Sequence, residues 1–111
     1  MKFSVTKNGK ATILKLHGRK LDAAVASELK AEFLVLCKPK AAAKLIIDMH
    51  EVQFCDSSGL SALLIADRTM REHGGTVHLV HVHEKVMALM HISQLDRVFT
   101  INKKIEEAIK S

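Results

Sequence analysis

The sequence predicts an α/β fold with a mixed, mostly parallel β-sheet. Predicted strands and helices alternate along most of the chain, which is typical of parallel strands joined by right-handed crossovers. The run Leu45-Ile46-Ile47 is apolar without alternation, as expected for a strand that is covered on both faces. Near the N-terminus, Asn8-Gly9 separates two short strand-like runs, and this hairpin adds an antiparallel edge to the sheet.

The N-terminal hairpin is predicted to pair the strands Phe3–Lys7 and Ala11–His17. Asparagine and glycine both tolerate positive φ, so Asn8-Gly9 is the strongest short-range signal for the turn. In the second strand Leu14 and Leu16 share one side, and the twofold period indicates that this side is buried.

The first helix is predicted over Ala23–Lys38. Asp22 stands where an N-cap belongs, since its carboxylate can accept hydrogen bonds from the first free backbone N–H groups. Pro39 ends the helix because proline cannot continue it and restricts the residue before it. One apolar stripe at helical spacing consists of Val25, Leu29, Phe33 and Leu36.

The second half of the chain continues the alternation, with a loop from Met49 to Asp56. The second predicted helix ends at Gly74-Gly75. The predicted order of elements is β-β-α-β-α-β-α-β-α. The later elements are strands at Leu45–Ile47, Val77–Val82 and Val98–Ile101 and helices at about Ser58–His73, Glu84–Met90 and Lys104–Lys110.

The composition is that of an ordinary globular protein, with 48% apolar and 26% charged residues. A length of 111 residues fits one domain, which we expect to span residues 1–111. Two cysteines are too few for a disulfide scaffold. The N-terminus lacks a secretory signal pattern, and no apolar run approaches the ~18–20 residues of a membrane span. We therefore expect a reduced, cytoplasmic protein with no membrane partner.

The net charge of +5 suggests an anionic partner such as nucleic acid. The excess is local, because residues 1–21 contain six cations and no carboxylate, whereas the rest of the chain contains 11 cations and 12 carboxylates. Trp and Tyr are absent and only four Phe are present, which leaves few stacking surfaces for single strands. We expect no direct contact with nucleic acid.

The stretch that carries the most chemistry runs from Phe54 to Leu60. Asp56, Ser57, Ser58 and Gly59 stand where a loop after a buried strand leads into a helix, and a helix N-terminus stabilises an anion through its free N–H groups and its dipole. Phosphorylation would add about −1.5 to −2 charges beside the carboxylate. Asp and Ser are also the commonest capping residues, so an ordinary N-cap is the alternative, and the local chemistry leaves both open.

Enzymatic and metal-binding interpretations find little support. A Gly-x-Ser-x-Gly nucleophile elbow centred on Ser57 needs glycine where Cys55 stands, and the seven histidines show no diagnostic spacing to a serine. Among His78, His81 and His83, only the last two would share a face of a strand. Cys55 is expected to be a small buried hydrophobe. We expect no catalysis, no metal and no cofactor.

Several segments together resemble the STAS domain family, most closely the bacterial anti-sigma factor antagonists. The central match is Leu45-Ile46-Ile47-Asp48, then Val52, Phe54 and Asp56-Ser57-Ser58-Gly59-Leu60. Further matches are Gly18, Leu21-Asp22-Ala23, Leu29, Gly74-Gly75, Leu95–Ile101 and Glu106-Glu107-Ala108. The resemblance covers residues 1–111 and implies a STAS fold, with helices packed mainly on one side of the sheet.

The resemblance implies a partner-switching regulator of transcription whose phosphorylated residue is Ser58. The unphosphorylated protein would bind an anti-sigma factor that is also a serine kinase, and the sigma factor would be released. The kinase would use ATP to phosphorylate Ser58, which abolishes binding, and a metal-dependent serine phosphatase would restore the active form. The antagonist itself performs no chemistry, and we expect a monomer, with a weak dimer left open.

The same resemblance assigns Asp22, Asp56, Ser57, Gly59 and Leu60 to the environment of the phosphosite or to the partner surface. Asp22 would orient the serine or take part in kinase docking, with helix capping as the alternative. Asp56 would position the hydroxyl or help to exclude a docked phosphoserine, and capping is its alternative too. Ser57 would cap the second helix.

The sequence departs from the family pattern in two places. Arg19-Lys20 stand where many relatives carry Glu, and Cys55 stands where a plain apolar residue is common. Two further functions stay open: a STAS subunit of a larger signalling or lipid-transport assembly without a phospho-switch and, on charge alone, a nucleic-acid binder. The intact Asp-Ser-Ser-Gly-Leu favours the antagonist over the subunit.

Overall fold

The computed structural model describes residues 2–36 and 44–111. Over these residues, strands and helices alternate as the sequence predicts. In chain order they are β1 (Lys2–Asn8), β2 (Ala11–His17), β3 (Lys20–Leu21), α1 (Ala23–Leu36), β4 (Lys44–Asp48), β5 (Phe54–Cys55), α2 (Ser57–Glu72), β6 (Thr76–Val80), α3 (Glu84–Ile92), a 3₁₀ turn (Leu95–Arg97), β7 (Thr100–Asn102) and α4 (Ile105–Lys110).

The main sheet has the strand order β1-β2-β4-β6-β7 over the described residues. β1 and β2 are antiparallel, whereas β2, β4, β6 and β7 run parallel to one another. The chain crosses from β2 to β4 through α1, from β4 to β6 through α2, and from β6 to β7 through α3. The predicted mixed sheet with an antiparallel hairpin at its edge is confirmed.

Helices cover the two faces of the main sheet unequally. α1, α2 and α3 pack on one face, where Leu29, Leu63 and Met90 from these helices are buried in the larger core. α4 lies on the other face and closes a smaller apolar cluster with Ile46 and Val80. β4 is therefore covered on both sides, as its unbroken apolar run predicts. Within the described ranges, no helix is both long enough and apolar enough to cross a membrane.

The hairpin turn lies one residue later than predicted. Asn8 pairs with Ala11, so the turn residues are Gly9 and Lys10 rather than Asn8 and Gly9. Gly9 has a φ of +62°, and glycine with positive φ at the first turn position is the pattern of a type II′ turn.

The strand β6 ends two residues before its predicted end. His81 has a φ of +56°, which takes the chain out of the extended conformation after Val80. His81 and His83 therefore lie beyond the strand that is predicted to align them, and this part of the prediction is wrong.

The strand β7 begins two residues later than predicted. The N–H groups of Val98 and Phe99 both donate to the carbonyl of Leu95, at 3.0 and 3.1 Å, so these residues belong to a turn. Phe99 is buried in the larger core, and extended pairing with β6 begins only at Thr100.

Both long helices follow the sequence signals closely. Leu29 and Phe33 on α1 are buried as the apolar stripe predicts, while the predicted end at Lys38 and Pro39 lies outside the described residues. α2 ends in a Schellman motif, in which Gly74 has a φ of +77° and the N–H of Gly75 donates to the carbonyl of Met70 at 2.8 Å.

A lysine attaches α4 to the main sheet. The Nζ of Lys44, at the start of β4, donates to the carbonyls of Ala108 (2.7 Å), Ile109 (3.0 Å) and Ser111. Carbonyls in the last turn of a helix have no intrahelical partner and lie at the negative end of its dipole. The ammonium group therefore caps α4 and holds it over β4.

Replacing Lys44 with methionine keeps most of the side-chain volume and removes this cap. We expect Lys44→Met to lower the free energy of unfolding by about 1–2 kcal/mol, because charge-assisted hydrogen bonds are lost. Urea denaturation followed by circular dichroism measures the change. Lys110→Met removes an exposed cation from the same helix and should cost less than about 0.5 kcal/mol; equal effects of the two substitutions would contradict the capping role.

Candidate functional site

A second sheet of two short strands brings the starts of α1 and α2 together. β3 and β5 run parallel, with Lys20 opposite Phe54 and Leu21 opposite Cys55. The N–H of Asp56 extends this pairing by donating to the carbonyl of Leu21 at 3.2 Å. α1 follows β3 after one residue and α2 follows β5 after one residue, so the two helices begin side by side.

Asp56 joins the two helix starts through its carboxylate. Oδ1 accepts a hydrogen bond from the N–H of Gly59 (2.9 Å) in the first turn of α2, which makes Asp56 the N-cap of that helix. Oδ2 accepts a hydrogen bond from the N–H of Ala23 (3.3 Å), the first residue of α1. A helix leaves such first-turn N–H groups without an internal partner. One carboxylate therefore serves two helices, and capping is the interpretation of Asp56 that the contacts support.

Asp22 occupies the equivalent position at the start of α1. Its Oδ1 accepts a hydrogen bond from the N–H of Ala24 at 3.1 Å, and its carbonyl accepts one from the N–H of Ala26 at 2.9 Å. The prediction that Asp22 caps α1 is therefore confirmed. Because Ala23 contacts Asp56, the two aspartates lie around the same pair of helix starts.

Gly59 allows α2 to begin in close contact with β3. A Cβ atom on Gly59 would lie 2.3 Å from the carbonyl oxygen of Leu21 and 2.9 Å from the Sγ of Cys55. The first of these atoms belongs to the backbone and cannot rotate away. The glycine is therefore required by the contact between α2 and β3, and the neighbouring Leu60 is buried in the larger core.

The two serines occupy the first and second positions of α2. Ser57 is exposed and Ser58 is half-buried. The prediction that Ser57 caps this helix is wrong, because α2 begins one residue earlier than expected and Asp56 takes the cap position. Within residues 2–36 and 44–111, neither hydroxyl has a hydrogen-bond partner. Both hydroxyls are therefore uncommitted to structural bonds.

The start of α2 can accommodate an added anion on Ser58. Its first-turn N–H groups lack internal acceptors, Asp56 engages only that of Gly59 among them, and the helix dipole contributes positive potential. A phosphate on Ser58 would meet this potential on one side and the negative charge of Asp56 on the other. The added charge would act at the point where α1 and α2 meet.

Cys55, beside the serine motif, is a structural residue. Burial raises the pKa of its thiol to about 12, and the neighbouring Asp56 carboxylate adds to the shift. Because the thiolate is the nucleophilic form, a thiol with this pKa is inert at neutral pH. The S–H group donates to the carbonyl of Asp56 at 3.5 Å.

His78, His81 and His83, the three histidines weighed as a metal set, have different surroundings. His78 is buried, with its Nδ1 at 2.9 Å from the Oδ1 of Asn102. The Nδ1 of His81 lies 2.9 Å from the Oδ1 of Asp48, and His83 is exposed at the start of α3. In the part of the chain that the structure describes, no three His, Cys, Asp or Glu side chains are placed to hold a metal ion.

Two features of the site are not predicted from the sequence. β5 lies in the predicted loop and β3 in a segment to which no element is assigned, because a strand of two residues has no detectable period. Phe54 is 51% exposed beside the serine motif, although its neighbour Cys55 is buried. An aromatic residue next to a polar motif is the only signal that could have indicated this exposure.

The mixed sheet and the paired helix starts, one of which carries two adjacent serines, define an α/β domain of the STAS type. The family model of the STAS domain matches residues 2–108, and the chain belongs to this family. The resemblance that the serine motif and its flanking segments indicate is confirmed.

Solved structures of anti-sigma factor antagonists share this fold. A candidate anti-sigma factor antagonist from Thermotoga maritima is 24% identical, with 97% of this chain and 92% of that chain covered and a TM-score of 0.87. SpoIIAA in its unphosphorylated form is 20% identical, with 98% and 96% covered and a TM-score of 0.75. The Bacillus cell fate determinant SpoIIAA in its phosphorylated form is 21% identical, with 98% and 97% covered and a TM-score of 0.74. At these identities the likeness is one of fold.

The first prediction for the site concerns the carboxylate that links α1 and α2. We expect Asp56→Ala to lower the free energy of unfolding by about 2 kcal/mol, because one helix loses its cap and the other loses a hydrogen-bond acceptor. Asp56→Asn keeps one oxygen acceptor and should cost less. Chemical denaturation measures both, with Ser57→Ala as the neighbouring control, expected within about 0.5 kcal/mol of the parent. A cost for Asp56→Ala as small as that of Ser57→Ala would refute the link.

The second prediction concerns the close approach at Gly59. Replacing glycine with alanine in an open helical position stabilises a protein by about 0.5–1 kcal/mol. Here we expect Gly59→Ala to destabilise by about 1–3 kcal/mol, because the new methyl group would overlap the carbonyl of Leu21. Ser61→Ala, at an exposed position of the same helix, is the control and should be neutral or slightly stabilising in the same urea titration. The opposite sign at Gly59 would show that α2 can move away at no cost.

Proposed function

We propose that this chain is an anti-sigma factor antagonist, a partner-switching regulator of transcription that acts in the cytoplasm as one domain over residues 1–111. The observation that carries the proposal is Ser58, whose half-buried, unbonded hydroxyl lies beside the N-cap that joins α1 and α2. Membership of the STAS family supports it, as does the shared fold with SpoIIAA in unphosphorylated and phosphorylated forms.

In the proposed cycle the unphosphorylated chain binds an anti-sigma factor that is also a serine kinase, and the sigma factor is released. The kinase transfers a phosphoryl group from ATP to the Ser58 hydroxyl, and the complex dissociates. A metal-dependent serine phosphatase then hydrolyses the phosphoserine. The chain is substrate and ligand in this cycle and performs no chemistry itself.

The geometry explains how such a modification can alter binding without altering the fold. The first turn of α2 offers N–H groups and a positive dipole end, so an added phosphate is tolerated where it is formed. An interface complementary to a neutral Ser58 would have to desolvate a dianion, at a cost of several kcal/mol. A penalty of ~3–4 kcal/mol weakens binding by a few hundredfold.

The neighbouring residues have positioning roles in this proposal. Asp22 and Asp56 fix the starts of α1 and α2 through backbone hydrogen bonds, and they thereby hold Ser58 in one place. Gly59 brings α2 against β3, and Leu60 anchors the first turn in the core. Ser57 is the exposed neighbour of the modified residue.

Phosphorylation by a cognate kinase tests the proposal directly. The chain is incubated with ATP and with each anti-sigma factor kinase encoded in the same genome, and the product is mapped by mass spectrometry. We expect one phosphoryl group on Ser58, no incorporation into Ser58→Ala, and normal incorporation into Ser57→Ala, which removes the adjacent hydroxyl. In a binding titration with the same kinase, Ser58→Glu should lose affinity by about a hundredfold or more.

Incorporation that persists in Ser58→Ala, or none with any of these kinases, would overturn the proposal. The second outcome would favour the alternative, a STAS subunit of a larger signalling or lipid-transport assembly in which the hydroxyl is unmodified.

A further inference from the structure

Two adjoining cavities lie beside the start of α2 and share Gln53 and Lys85. The first, of about 370 Å³, is lined by Arg19, Lys20, Gln53, Phe54 and Lys85. The second, of about 450 Å³, is lined by Gln53, His83, Glu84 and Lys85. We call these seven residues the basic groove.

The basic groove is built from three segments that the fold brings together. β3 and β5 place Lys20 opposite Phe54, and the guanidinium group of Arg19 donates to the Oε1 of Gln53 at 3.0 Å. Lys85 comes from the first turn of α3. β5 is separated from α2 only by Asp56, so the groove adjoins the helix start that carries Ser58.

The side chains that line the groove carry a net positive charge, because the nearby aspartates are not among them. Both carboxylate oxygens of Asp56 accept backbone N–H groups, Asp22 directs one oxygen at the N–H of Ala24, and neither aspartate lines the cavities. Glu84 is the one carboxylate among the seven groove residues. Across the described ranges, the three groove cations form no ion pair.

The groove also exposes an aromatic side chain. Half of the surface of Phe54 is accessible, at 51%, and Phe54 lines the same cavity as Arg19, Lys20 and Lys85. Exposed aromatic residues and arginine are enriched in protein interfaces, where an aromatic anchor fills a pocket on the partner. A single aromatic ring is a poor platform for a nucleic-acid strand, which needs successive stacking surfaces.

We infer that the basic groove docks an acidic protein surface that offers an apolar pocket for Phe54. The inference rests on the proposed function, because it takes the docked protein to be the anti-sigma factor kinase and names the charge of the face it presents. Opposite charges steer the two proteins together and fix their register. Phosphoserine at position 58 would add negative charge next to the groove. An acidic partner would then be repelled by this charge, in addition to the cost of desolvating the phosphate.

Charge reversal tests the inference. The affinity of the purified kinase for the full chain is measured by calorimetry at low and at physiological ionic strength. The variant Arg19→Glu/Lys20→Glu should weaken binding by about 50-fold or more and flatten its salt dependence, and Phe54→Ala should weaken it about tenfold. The control Lys2→Glu/Lys7→Glu makes the same change in charge on β1 and should stay within about threefold of the parent. Lys85→Glu reverses a charge on α3, so that the test does not depend on correct folding of the Arg19→Glu/Lys20→Glu variant alone.

The outcomes separate this inference from the proposed function. If Ser58→Glu abolishes binding while the groove variants bind like the parent, the groove inference fails and the phospho-switch stands. If the groove variants bind weakly while Ser58→Glu binds like the parent, the groove inference stands and the phospho-switch fails. Two outcomes would overturn the inference that an acidic protein docks at the groove. One is an equal loss of affinity in the β1 control. The other is binding of a short DNA duplex at physiological salt that Arg19→Glu/Lys20→Glu removes.

Discussion

The site depends on one electrostatic problem and its solution at Asp56. α1 and α2 begin side by side, and each helix start carries a positive partial charge of about half an elementary charge. Two such ends would repel each other if nothing lay between them. The carboxylate of Asp56 accepts hydrogen bonds from both ends, and the pairing of β3 with β5 places it there. At the same junction, the absence of a side chain at Gly59 allows α2 to approach the carbonyl of Leu21.

The same charge balance decides what a phosphate at Ser58 could do. Two helix starts supply about one positive charge in total, whereas Asp22 and Asp56 already supply two negative charges. A further dianion would therefore find hydrogen-bond donors in the first turn of α2 but no net positive charge to neutralise it. Its field would extend outward instead of being absorbed by the fold. This is why a modification that leaves the backbone in place can still be felt by a bound protein.

Regular periodicity made most of the fold predictable, and long-range contacts made the remainder unpredictable. The structure follows three local signals: the twofold period that places Leu14 and Leu16 on one side of β2, the apolar stripe on α1, and the end of α2 at Gly74-Gly75. The turn at Gly9, the early end of β6 at His81 and the late start of β7 depend on backbone conformations that side-chain patterns do not report. The serine motif could be located at a helix start, but the second contact of Asp56, with the N–H of Ala23 33 positions away, could not be predicted from local signals.

Net charge is informative only once the direction of each side chain is known. The excess of cations in residues 1–21 divides in the structure between the hairpin, with Lys7 and Lys15, and the basic groove, with Arg19 and Lys20. The groove gains Lys85 from a distant segment. Three cations and one carboxylate leave it with about two positive charges, nearly equal in size to the charge of a phosphoserine. Modification of Ser58 would then add a negative charge of similar size next to this surface, and a partner selected for opposite charge would be attracted less strongly after phosphorylation.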